Sequence, residues 1–510
     1  MNRKPRLLAS LAALATTAVL TGCSVAGVSL TGSSTTSGSG TTTASSQSTA
    51  TATVLKADAS VAEARANNAT PDTAATTWSA TGATTIALTG SSATVSGAGA
   101  TASGNAVTIT AGGTYVLSGT LNGQVVVNSP SSDEVKVVLN GATITSSTGP
   151  AIAVTDAGES VIVLADGTSN TLTDAKTYAD TSESAPNAAL WSSADLTIGG
   201  GGSLTVTGQL NDGIASKDGL VITAGTINVT AVDDGIRGKD HVAITGGNIT
   251  VSAGGDALKS DNTTDADSGF VDISGGTLNL AAGTAKGDGI DATNDIIISD
   301  GTINVSRSYE GLEALNIVIG GGTIEVTSSD DGLNVAQTST STTTTTTNAR
   351  GMGGGGGTVV PGTASITGGT LILHANGDGF DSNGTASIAG GTVIVDQVGG
   401  GNGALDVNGT FTITGGQLIA LGDASMPVAP GTSSSQGWLM AAASGSAGAK
   451  VQILAGSTVI AEFTAPRTFG NVVYSSSAIK SGSAYTVSVN GTAMNVTADV
   501  ASAGGMGPRH

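Results

Sequence analysis

Acidic residues recur in this chain at a spacing that could assemble an oxygen-rich cation site. An Asp-Gly-Ile element, or a close variant of it, occurs at Asp212, Asp234, Asp256, Asp288, Glu310, Asp331 and Asp378. Successive members are 22, 22, 32, 22, 21 and 47 residues apart, and Asn402 continues the series more weakly. Asp233 and Asp330 precede two of them, and Asp291, Glu313 and Asp381 follow others by three residues. Carboxylates with backbone carbonyls among them are hard ligands. Outside a cell the matching cation is calcium, which takes about six to eight oxygens in flexible geometry. Zinc is disfavoured, because His241, His374 and His510 are far apart and Cys23 is the only cysteine.

Charge balance sharpens this expectation. Lys217, Arg237, Lys239 and Lys259 stand close to the first acids as counter-ions. Between Gly287 and Lys450 the only basic side chains are Arg307, Arg350 and His374. Like charges stacked one strand spacing apart, ~4.8 Å, repel by about 0.9 kcal/mol in water and about 3.5 kcal/mol at an effective dielectric near 20. A plainer reading gives each Asp-Gly a turn only, with Asp accepting a backbone hydrogen bond and Gly at positive φ. The flanking acids exceed what a turn needs. All twelve acids named above are therefore candidate calcium ligands.

The elements that must hold them follow from a repeat. Its unit reads Gly-Gly-x-Ile-x-Val, then Asp-Gly-Ile, then a short x-Ile-x-Ile before the next Gly-Gly. The apolar pair keeps step at Ile227/Val229, Ile249/Val251, Leu278/Leu280, Ile303/Val305, Ile324/Val326, Leu371/Leu373 and Val393/Val395. Three short alternating strands in about 22 residues match one turn of a parallel β-helix, in which stacked turns share a continuous core. Leucine-rich repeats share the length but need leucine and a helical segment. The fold class predicted is all-β, a right-handed parallel β-helix over residues 81–425 with irregular first coils. A low-complexity loop is expected at 337–361. Trp438, Val451–Leu454, Val459–Phe463 and Tyr485–Val489 predict a small β cap within 426–510.

The start of the chain carries an address. Arg3, Lys4 and Arg6 precede an apolar run, Leu7–Leu20, and Leu20-Thr21-Gly22-Cys23 reads as a lipobox. Residues 1–22 are thus expected to be a lipoprotein signal peptide and Cys23 the lipidated first residue of the mature chain. Residues 23–80, rich in Ser, Thr and Ala, are read as a flexible tether. The expected location is the outer face of a bacterial cell envelope, with the lipid as the only membrane attachment. The net charge of −20 argues against nucleic acid as a partner, and an anionic partner would need a bridging cation.

Several motifs resemble, in order, those of a bacterial surface carbohydrate-binding family. They are Asn187-Ala188-Ala189-Leu190, Asn211–Asp218, Asp233–Asp240, Tyr309-Glu310-Gly311-Leu312-Glu313, Gly401–Asp406 and Ser435-Gln436-Gly437. The resemblance spans roughly residues 80 to 490. It implies a calcium-containing right-handed β-helix that binds polygalacturonate and cellulose and is structurally similar to the family-9 pectate lyases. Those lyases hold calcium with one acid on a coil and three on the next, and use lysine as base. Asp212 with Asp233 and Asp234 resembles that set, with Arg237 where the last acid would stand. Glu310 with Asp330, Asp331 and Asn334 is the other near match. The function expected is calcium-dependent binding of acidic pectic glycan, with cellulose as a further ligand and no catalytic residue. The alternatives are a pectate-lyase-like enzyme using Lys259 or Lys286, and a structural adhesin that binds no glycan.

Overall fold

Apolar and polar residues alternate through short runs, and that period of two sets the architecture. Thr226–Ala231 and Asn248–Ser252 bury every second side chain and expose the others. The computed structural model describes residues 53–182, 184–336 and 359–501. It is a parallel β-helix of about 11 turns with three strands in a regular coil. In one such coil these are Asp212–Ser216, Gly219–Ile222 and Thr226–Ala231. Each strand pairs in parallel with its equivalent one coil on. We call the three resulting ladders the acidic, the strapped and the threonine sheet. Where turns straighten, strands fuse: Phe270–Ala281 serves two ladders and Ile290–Arg307 all three.

The core is made of columns. Leu204, Ile227, Ile249, Leu278, Ile303, Ile324, Leu371, Val393 and Leu418 stand one above another. All are at most 1% exposed. The register predicted for Ile227, Ile249, Leu278, Ile303 and Ile324 is the observed one.

The glycines work differently from the turn reading. Positive φ occurs at the second residue of the Gly-Gly corners, for example Gly247 (φ 100) and Gly322 (φ 80). The glycine of Asp-Gly-Ile is not among the positive-φ residues. It is required by packing: a Cβ on Gly311 would lie 2.1 Å from the Gly332 carbonyl oxygen and 2.3 Å from Val326 Cγ1. The element is therefore tight because the neighbouring coil crowds it.

Both ends of the core are closed. Antiparallel pairs, Thr84–Gly90 with Ala93–Ser96 and Ala100–Ser103 with Ala106–Ile109, open the helix. At the other end Asn471–Ser475 pairs antiparallel with both Gln417–Gly422 and Trp438–Ala441, and Trp438 is fully buried. A four-stranded antiparallel sheet, Lys450–Ala455, Thr458–Thr464, Ala484–Val489 and Thr492–Thr497, completes the cap. Such closure removes the open strand edges of a solenoid.

The expected tether is corrected over its second half. Residues 53–80 lie along the strapped sheet and include a short helix, Val61–Asn67, begun by a Ser60/Glu63 capping box. Leu55, Ala59 and Ala64 pack on Ile297 and Val318. Arg65 holds Asp272 through Nε and Nη2, each at 2.7 Å. Asn68 Nδ2 donates to buried Asp295 at 2.6 Å, and Lys136 Nζ donates to the Ala75 and Thr77 carbonyls at 2.7 and 3.0 Å. Composition suggested a linker because most of the docking residues are small; they fit against Ile297 and Val318, with Asp272, Asp295 and Lys136 as polar anchors around them. Cys23, the first half of the tether and residues 337–358 of the expected loop lie outside the described residues.

Candidate metal centre on the acidic face

The acidic sheet carries two outward columns. The first is the acid of each Asp-Gly-Ile element. The second lies three residues on and runs Ala215, Arg237, Lys259, Asp291, Glu313, Asn334, Asp381, Asp406 from coil to coil. Its sign changes partway, from cationic to acidic.

In the first column one carboxylate oxygen is structural. The N–H of Asp256 donates to Asp234 Oδ1 at 2.9 Å, that of Asp288 to Asp256 Oδ1 at 2.7 Å, and that of Glu310 to Asp288 Oδ1 at 3.0 Å. The series resumes with Asp378 on Asp331 and Gly403 on Asp378, both at 2.6 Å. Each aspartate of the column thus binds the coil above it, while the Glu310 carboxylate accepts no such backbone bond. The plainer reading, an acid serving the backbone, holds for Oδ1 and leaves Oδ2 available for other chemistry.

In the lower coils Oδ2 meets cations. Arg237 lies 3.7 Å from Asp212 and 2.5 Å from Asp261. Lys259 pairs with Asp256, and lies 3.7 Å from Asp234 and 3.5 Å from Asp291. Burial would lower the Lys259 pKa, but the charges of Asp256 and Asp234 outweigh it and the group is held above the ordinary lysine value. It stays charged. Asp212 nevertheless rises to about 7, by burial and then by the charge of Asp234, and burial takes Asp234 to about 6.

Above Lys259 the second column turns acidic. Asp288, Asp291 and Glu313 each present an oxygen within 4.8 Å of the other two. Burial, and then the charges of Glu310, Asp288 and Asp291, push Glu313 up to about 9. Burial, and then the charge of Asp256, raise Asp291 to about 7. Asp288, Glu310 and Glu313 are all raised, chiefly by burial. Asn334 Nδ2 donates to Glu310 Oε2 at 2.7 Å, which turns Glu310 toward the next coil. Three hard oxygen donors without an intervening ammonium group fit a calcium ion.

The remaining candidates separate by place. Asp331, Asp378 and Asp381 form an upper group raised by burial to about 8, 6 and 9. Asp233 is exposed at the turn, and the backbone N–H of Asp330 donates to the Tyr309 carbonyl at 2.9 Å. Asp212, Asp234 and Asp256 are the ion-paired ones. A feature not anticipated is an amide ladder beside the upper group. Asn383 Nδ2 donates to Asn334 Oδ1 at 3.3 Å, and Asn408 Nδ2 to Asn383 Oδ1 at 3.0 Å. Its trace in the sequence is Asp-x-Asn, at Asp381/Asn383 and Asp406/Asn408.

Fold and site together define a parallel β-helix with a polyacidic face. A family profile described as carbohydrate-binding domain-containing protein matches residues 103–355. A protein of Acetivibrio thermocellus with the same description is 46% identical over 201 residues, which is 39% of this chain and 69% of that one. The chain belongs to this family of carbohydrate-binding domain-containing proteins. Among solved structures, a polysaccharide lyase-like protein from C. thermocellum, crystallised as a gadolinium derivative, is 33% identical. That match covers 50% of this chain and 97% of the other, with a TM-score of 0.41.

Proposed function

We propose that this chain is a calcium-dependent carbohydrate-binding surface lipoprotein whose ligand is an acidic pectic glycan, polygalacturonate. One observation carries the reading: Asp288, Asp291 and Glu313 converge within 4.8 Å, and Lys259 touches only the edge of the group, at Asp291. These three residues would hold the ion, with Glu310 and the upper acids Asp331, Asp378 and Asp381 beside it. Calcium supplies the positive charge that lets carboxylates of an acidic protein and an acidic glycan meet. The protein supplies the rigid spacing, since Asp291 and Glu313 stand on paired strands and the Oδ1 of Asp288 accepts the Glu310 N–H of the next coil.

Binding is favoured over lyase chemistry by the state of Lys259. A general base must be deprotonated near the working pH, whereas this lysine is held charged by carboxylates on both sides. Isothermal titration with oligogalacturonates tests the reading. Calcium-containing buffer should give saturable binding without unsaturated products, and chelator should abolish it; binding that survives full chelation overturns the proposal.

The lipid anchor has its own test. The lipobox predicts an acyl mass on Cys23 and membrane retention of the wild-type chain, and Cys23→Ala should lose both. A Cys23→Ala protein still acylated and sedimenting with membranes would refute the anchor.

A further inference from the structure

The sign change in the second column of the acidic face puts a lysine where the following coils put an acid. Asp256 and Lys259 in one coil correspond to Asp288 and Asp291 in the next, and Lys259 is paired with Asp291 across the ladder. Glu310 and Glu313 repeat the arrangement one coil further. Three residues after the column acid, the chain thus switches from a cation to a carboxylate.

The ammonium group of Lys259 is surrounded as a bound ion would be. Its Nζ pairs with Asp256 Oδ2 and lies 3.7 Å from Asp234 Oδ2 and 3.5 Å from Asp291 Oδ2. These oxygens come from three successive coils. The Oδ1 atoms of Asp234 and Asp256 accept the N–H groups of Asp256 and Asp288, so each carboxylate is held while its Oδ2 faces the lysine. The Asp234 and Asp256 side chains are only 9% and 6% exposed. An ammonium group has three N–H donors and no acceptor, and here it faces three carboxylates. Asp291 belongs to two neighbourhoods, since it meets Lys259 and also converges with Asp288 and Glu313.

We propose that Lys259 is a tethered cation standing in a calcium position, and that it sets how many calcium ions the acidic face takes. The inference rests on the calcium reading of Asp288, Asp291 and Glu313. Lysine carries a compact point charge on a flexible stem, and the chain supplies it at full occupancy whatever the calcium concentration. One coil on, the same step in the column is an acid, and the positive charge has to come from solution. Lys259 therefore divides coils whose acids meet cations of the chain itself from coils whose neutrality depends on calcium. Without the ammonium charge, buried carboxylates are left uncompensated, and three hard oxygen donors then suit the same ion as the next coil.

The test counts bound calcium by equilibrium dialysis on full-length protein, comparing wild type with Lys259→Gln, Lys259→Asp and Lys259→Arg. The first removes the charge, the second installs the residue of the next coil, and the third keeps a cation. Lys259→Gln and Lys259→Asp should each bind one more calcium ion per chain than wild type, and Lys259→Arg the wild-type number. Both charge-removing variants should melt below wild type in EDTA and regain most of that loss in calcium. Asp234→Asn added to Lys259→Gln removes a ligand that the Asp288 cluster does not use, and should abolish the extra ion. A count equal to wild type in both charge-removing variants overturns the proposal, as does failure of calcium to restore their melting temperature. The difference between variant and wild type reads Lys259, whereas the wild-type count reads the calcium centre. An extra ion in the variants beside a wild type that binds none would support the role of Lys259 and overturn that centre.

Discussion

In the presence of a chelator the protein should lose thermal stability steadily as pH rises from about 4 to about 9, and calcium should reverse the trend. The sign comes from the buried acids. Asp291 is raised to about 7, Asp331 to about 8 and Asp381 to about 9 in the folded chain, against an ordinary value of about 3.9 for aspartate. Between those limits the folded state binds more protons than the unfolded one, so stability falls as pH rises. Below about pH 4 both states are protonated and the stabilising contribution is fully present.

Calcium replaces those protons and binds more tightly as they leave. A ligand at a hundredfold excess over its dissociation constant stabilises the folded state by about 2.7 kcal/mol. The gap between melting curves with calcium and with chelator should therefore be small at pH 5 and widest near pH 8. Asp291→Asn combined with Glu313→Gln removes two ligands and two titrating groups, so it should flatten the chelated curve and shrink the calcium increment. Scanning calorimetry at four pH values reads both effects. Equal calcium increments at pH 5 and pH 8, or none, would sink the metal centre.

Ile303→Asp should disrupt the middle of the helix. Ile303 is 1% exposed and sits in the column between Leu278 and Ile324. An unpaired carboxylate there costs several kcal/mol, roughly 4 or more, because nothing in the column can pair with it. In a stacked-coil protein each turn leans on its neighbours, so the loss should spread locally first. Amide exchange should show the strands containing Leu278 and Ile324 losing protection before those at Leu204 or Val393. Asn304→Asp, one residue on and outward-facing, is the control and should leave the pattern intact. Equal damage from the two substitutions would mean that the register is wrong.

The architecture was legible because a repeat multiplies a weak signal. One run such as Thr226-Ile227-Asn228-Val229 fits many folds. The same run recurring with an acid seven residues after its first apolar residue fits few, because equivalent residues must stack. The strap at 53–80 was not legible. Leu55, Ala59 and Ala64 are too sparse to form a periodic pattern, and their burial depends on Ile297 and Val318, more than two hundred residues away.

The acidic site divides along the same line. The sequence alone determined which residues form the first column, since the coil period brings Asp288 under Glu310 whatever the side-chain conformations. It also indicated where cations run out, because charge balance can be counted along the chain. It could not decide which oxygens meet. Tertiary structure commits the Oδ1 atoms of the acidic ladder to the backbone of the next coil, ties Asp212, Asp234 and Asp256 to Arg237 and Lys259, and leaves Asp288, Asp291 and Glu313 converging. The physical reason is that stacking order is a property of chain length between repeats, whereas carboxylate orientation is set by distances of a few ångströms between neighbouring coils.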